Sequence, residues 1–135
     1  MLNYPVEILL SFEQALTGNE KFFLWLIKNG YPELSALAGA INSDNEAFQW
    51  LLANGYPQYA VFSNAIVNEP EAYKWLKRYN FMFLLIFADA CNGKQAAYDW
   101  FSKYDLKIFI RLANTIKDII KQQDKDSYNY HKMKF

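Results

Sequence analysis

Few side chains in this chain have the types and spacing that catalysis needs. His131 is the single histidine and falls in a polar stretch, "DKDSYNYHKMKF", at 124–135. A Ser-His-Asp or Cys-His set would have to recruit it, and a metal motif with two histidines is ruled out. Neither GxxxxGK[ST] nor GxGxxG occurs, so no phosphate-cradling loop is legible. Cys91 is the single cysteine, which excludes an intrachain disulfide. It stands in a column otherwise held by Ile41, Ile66 and Ile116. That column predicts a buried, inert thiol, because a nucleophilic cysteine needs exposure and a lowered pKa. The inventory therefore predicts no catalytic set, no metal site and no cofactor.

The remaining residues with chemistry to offer form a ladder. Gly39, Asn64, Asp89 and Asn114 recur every 25 residues, small or polar within otherwise apolar stretches. Stacked in register they would align into a polar strip. As a recognition groove, the strip would use Asn64, Asp89 and Asn114, with Asp89 at its centre. Tyr79 and Tyr104 replace Asn29 and Asn54 in another column, where they either add an aromatic rim or merely cover the turn. The competing reading is that the strip's polar groups satisfy local backbone. No spacing brings two carboxylates together for general acid–base work.

The elements that must carry the ladder come from an internal repeat. Tryptophan occurs at 25, 50, 75 and 100 and nowhere else. Two positions earlier stand Phe23, Phe48, Tyr73 and Tyr98, and directly after each Trp stand Leu26, Leu51, Leu76 and Phe101. Five positions after it come Gly30, Gly55, Asn80 and Asp105. Each unit reads as two short helices. Gly30 and Gly55 supply the left-handed residue that ends the first helix, with Asn80 as substitute. Pro32 and Pro57 start the second, where a missing N–H is no loss. Ser43 and Glu46 are expected to form a capping box, with Asn68 and Glu71 as its counterpart. Phe48, Leu51 and Leu52 are expected to face inward on one helix, and Tyr59, Phe62 and Ile66 on the other. The four indoles are expected to pack in the core or between units.

The predicted fold is all-α: an α-solenoid of about four tandem 25-residue helix-turn-helix repeats (about 19–43, 44–68, 69–93 and 94–118), with about nine helices in all. A capping helix lies within residues 1–18, and a longer final helix spans 106–123. Residues 1–123 read as a single domain and 124–135 as a polar, frayed tail whose Tyr128, Tyr130 and Phe135 offer an alternative of docking on the body. A hairpin of two ten-residue helices cannot bury its apolar face alone, so neighbours must cover one another.

"LAGAINSDNEAFQWLLANGY" (37–56) resembles the helical part of an ankyrin repeat, as does "NAIVNEPEAYKWLKRYN" (64–80) and, in part, "LIKNGYPELSALAGA" (26–40). The likeness covers roughly residues 19–118. The units are shorter than the usual ankyrin length of about 33 residues, and they lack the β-hairpin finger and the Thr-Pro-Leu-His tetrapeptide. The resemblance implies binding of other proteins along a concave face.

Composition narrows the function classes. Of 135 residues, 19% are aromatic and 21% charged, with zero net charge. The charge is unevenly spread: residues 1–68 carry a net −4 and residues 69–135 a net +4. That dipolar pattern lacks the basic footprint of a nucleic-acid binder. The longest apolar run, "FMFLLIFA" at 81–88, falls far short of a bilayer span. The N-terminus lacks the basic region of a signal peptide, so a cytoplasmic setting is expected. The functional expectation is a non-enzymatic protein–protein interaction module, monomeric or weakly self-associating, with no nucleic-acid or membrane partner. A small-molecule-binding protein using the polar strip is the alternative, and an immunity-type inhibitor of a toxin a further one.

Overall fold

Eight turns of the chain are built the same way, and they set the architecture. In a computed structural model that describes the backbone of residues 1–133 and the side chains of residues 1–125, Gly30, Gly55, Asn80 and Asp105 all have positive φ, and so do Gly18, Ser43, Asn68 and Gly93. Both columns repeat every 25 residues. After each comes a backbone N–H that reaches back five residues to close the helix end: Tyr31 to Leu26 O at 2.8 Å, for example, and Asp44 to Gly39 O at 2.9 Å. These closures satisfy carbonyls that a helix terminus otherwise leaves open. Ser43 and Asn68 therefore do not cap the following helices as expected. Ser43 takes the left-handed position and the next residue becomes the cap: Asp44 accepts from Glu46 N at 3.0 Å and Ala47 N at 3.4 Å. Glu69 holds the equivalent position without a side-chain cap bond.

The described residues form nine helices and no strand: α1 (Val6–Leu16), α2 (Glu20–Lys28), α3 (Pro32–Ile41), α4 (Asn45–Ala53), α5 (Pro57–Ala65), α6 (Pro70–Arg78), α7 (Met82–Cys91), α8 (Gln95–Lys103) and α9 (Lys107–Met133). The final helix thus continues ten residues past the expected end at 123, through most of the stretch read as a tail. The docking of Tyr128, Tyr130 and Phe135 lies outside the described side chains.

The helices form two layers. α1, α3, α5, α7 and α9 pack each on the next, and α9 returns to α1. The odd-numbered helices therefore make a closed inner ring. α2, α4, α6 and α8 lie outside, each resting on the two inner helices that precede and follow it in the chain. Leu26, Leu51, Leu76 and Phe101 are each fully buried, one per outer helix. Burying each contributes about 1.5–3 kcal/mol. Tyr59, Phe62 and Ile66 are buried as expected, but Leu52 is not, with 44% of its surface exposed. It is the next residue along α4 from Leu51, which points straight inward, and neighbours in sequence lie about 100° apart around a helix.

Candidate functional site

The polar ladder does not form one strip. Gly39 faces the next outer helix so closely that a Cβ there would meet Ala47 Cβ at 2.7 Å. Glycine is required by packing at that point. Asn64 lines a cavity of about 350 Å³ beside Ala40, Phe48 and Ser63, which Gln123 of α9 also borders. Asp89 pairs with Lys94, the first residue after the turn, at 3.1 Å. The contact is an ion pair and not a directed hydrogen bond, since Asp89 Oδ1 makes none. Asn114 accepts a hydrogen bond from Tyr98 at 3.2 Å and opens onto a cleft of about 670 Å³ between α8, α9 and Glu13 of α1. A fifth outer helix would lie over this column, and none follows, because α9 runs straight on.

The residue two before each Trp explains part of the ladder. Tyr73 and Tyr98 bring hydroxyls where Phe23 and Phe48 have none. Tyr73 accepts from Asn92 Nδ2 at 2.6 Å, and Asn92 reaches across to Ala65 O of the preceding unit at 3.1 Å. Asn42 makes the same inter-unit reach to Leu16 O at 3.1 Å. Burial, together with the nearby Asp89 carboxylate, pushes the Tyr73 hydroxyl up to about 12, against the opposing effect of the Asn92 bond. Asp89 and Asn114 thus sit among local partners.

Three of the indoles, Trp50, Trp75 and Trp100, pack against the edge of the core without entering it. Trp25 is 42% exposed, and Trp50, Trp75 and Trp100 are half-buried. Trp50 stacks on Tyr56 at 6.2 Å and 11°, and Trp75 on Phe81 at 5.6 Å and 2°. The expected packing between units is present at Trp100, whose ring meets Phe83 of α7 edge-on at 6.4 Å. An indole's large amphipathic ring is seldom fully enclosed, and the smaller leucine beside it takes the interior.

Tyr79 and Tyr104 are among the exposed large apolar side chains of the described residues, and they break the repeat pattern. In the first two units the corresponding residues serve the helix end: Asn29 Nδ2 donates to Trp25 O at 2.8 Å and Asn54 Nδ2 to Trp50 O at 2.8 Å. Tyrosine cannot make that bond. Tyr79 and Tyr104 instead lay their rings against Trp75 at 4.7 Å and Trp100 at 4.8 Å while staying more than half exposed. The Arg78 guanidinium lies 5.8 Å from the Tyr79 ring centre and Lys103 Nζ 5.6 Å from that of Tyr104. Met82, where the first units have proline, is 52% exposed. Sequence reading found the tyrosines and missed Arg78, Lys103 and Met82. The signal was present: Leu52-Ala53-Asn54 in the second unit becomes Lys77-Arg78-Tyr79 in the third.

A further group of polar side chains is partly buried. Tyr4 donates to Glu33 Oε1 at 2.9 Å and lies 3.2 Å from the Tyr59 hydroxyl, bridging the N-terminal segment to α3 and α5. Burial raises both phenols. Cys91 is 2% exposed, and burial pushes its thiol far above the ordinary range. Among the described residues no three His, Cys, Asp or Glu side chains gather as a metal site would need, and no helix is long and apolar enough to cross a membrane. No family model, curated protein or solved structure matches this chain.

Proposed function

We propose that the chain is a non-enzymatic, ankyrin-like protein-binding module of the cytoplasm whose contact surface is the rim formed by Trp75, Tyr79, Trp100 and Tyr104. The ankyrin likeness concerns the paired helices and carries no implied concave groove, because the return of α9 to α1 closes the inner ring. The observation that carries the reading is the exchange at Tyr79 and Tyr104. Two units give up a helix-end hydrogen bond made by Asn29 and Asn54 and place exposed rings there instead. Exposed Tyr and Arg set beside half-buried Trp are the composition of interface anchors. Paired on indoles, the rings are already held in place, so little side-chain freedom is lost on binding.

The test is site-specific photo-crosslinking in the cell of origin, with a photoreactive residue at 79 or, as a control, at exposed Gln49 of α4. A discrete protein adduct at 79, absent at 49 and weakened by Tyr104→Asn, is the expected result. Equal labelling at both positions overturns the reading.

A further inference from the structure

We infer that the rim binds an acidic protein segment, with carboxylates meeting Arg78, Lys103 and their neighbours while an apolar side chain rests on Tyr79 and Tyr104. The inference builds on the protein-binding reading above. It comes from comparing the four units at one place. Residues 77–82 and 102–107 hold Lys77, Arg78, Lys103 and Lys107 against the single acid Asp105. The matching stretches 27–32 and 52–57 hold Lys28 as their only charge. Exposed aromatic rings and cations thus enter together, at the same turns, in two adjacent units. A run of rings links the two units, since Trp75 stacks on Phe81 and Trp100 meets Phe83 two residues further on.

The charge of this surface is available. Lys77, Arg78, Lys103 and Lys107 are all exposed. Arg78 and Lys103 lie over rings and, among the described residues, pair with no carboxylate. The nearby cations that are neutralised, Lys74 by Glu71 at 3.3 Å and Lys94 by Asp89 at 3.1 Å, lie outside the two turns. An acidic chain is thus attracted to the surface, and the rings give it an apolar seat. A nucleic acid fits less well. The whole chain has no net charge, and a strand tracking its phosphates needs a longer basic path than two turns.

The experiment uses the full chain and three variants. Tyr79→Asn/Tyr104→Asn restores the residue of the first two units, so it carries its own structural precedent. Arg78→Ala/Lys103→Ala removes the charges, and Lys28→Ala is the control. Fluorescence anisotropy follows a labelled peptide of alternating glutamate and leucine, with oligo-dT for comparison, and circular dichroism melts establish that each variant folds. The expected result is salt-sensitive binding of the peptide, weakened about tenfold by either double substitution, unchanged by Lys28→Ala, and tighter than that of oligo-dT. Peptide binding that is absent, or indifferent to both double substitutions, overturns the inference. Tighter binding of oligo-dT overturns it in favour of a phosphate reader. A specific crosslink at 79 with no peptide binding overturns the acidic class while the protein-binding module stands.

Discussion

Glu13 of α1 and Arg111 of α9 are 98 residues apart in the chain and joined by three hydrogen bonds. Arg111 Nε donates to Oε1 at 3.0 Å and Oε2 at 2.8 Å, and Arg111 Nη2 donates to Oε1 at 2.8 Å. The pair lies on the seam where the inner ring closes. Glu13 is the buried partner, with 8% of its side chain exposed, while Arg111 is 61% exposed.

Removing Arg111 strands a buried carboxylate, whereas lysine keeps the charge and loses the fork that grips both oxygens. Arg111→Ala should lower the unfolding midpoint, and Arg111→Lys should lower it by less. Urea unfolding of both variants checks this. An unchanged midpoint for Arg111→Ala would show that the seam adds nothing to stability.

The leucine beside each tryptophan, and not the tryptophan, anchors the outer helix. Leu51→Ala should cost about 2–5 kcal/mol, because Leu51 is fully enclosed. Trp25→Ala should cost less despite removing a far larger side chain, since that ring is 42% exposed. Thermal melts of the two variants rank them directly, and the reverse order would contradict the burial pattern.

Gly39 is fixed by the approach of Ala47. A methyl at 39 meets another methyl with no flexible end to move aside, so Gly39→Ala should destabilise by about 1–3 kcal/mol. Adding Ala47→Gly should recover part of the loss beyond the glycine's own helix penalty of about 1 kcal/mol. A double-mutant cycle by chemical denaturation reads this coupling. Strict additivity would remove steric contact as the cause.

Alkaline pH should loosen the fold through its tyrosines. Tyr73 is raised from 10 to about 12, and Tyr4 and Tyr59 are raised as well. A phenol whose folded pKa exceeds its unfolded one contributes stability that is fully present below pH 10. For Tyr73 that contribution fades as pH climbs from about 10 to about 12. Melting temperature followed over this range should fall, and Tyr73→Phe should flatten the Tyr73 share. A slope untouched by Tyr73→Phe would place the alkaline sensitivity elsewhere.

Much of the local architecture was already written in the sequence. The spacing of Trp25, Trp50, Trp75 and Trp100 set the unit, and Gly30, Gly55 and Asn80 marked where first helices end. These features depend on residues within one or two turns of each other, so they are legible without coordinates. Ser43 shows the limit of that legibility. Serine and Asp44 are both good caps, and the left-handed position required one residue earlier decides which of them serves. The candidate site was half legible: Tyr79 and Tyr104 stood out as departures from Asn29 and Asn54, yet only their exposure and their contact with indoles separates a surface from a turn cover. The closed ring was not legible at all. Whether stacked hairpins stay open or come round to meet depends on a small rotation between neighbours that accumulates over every unit. No single residue encodes that rotation, so the meeting of Glu13 and Arg111, and with it the loss of a concave face, was decided by the tertiary structure alone.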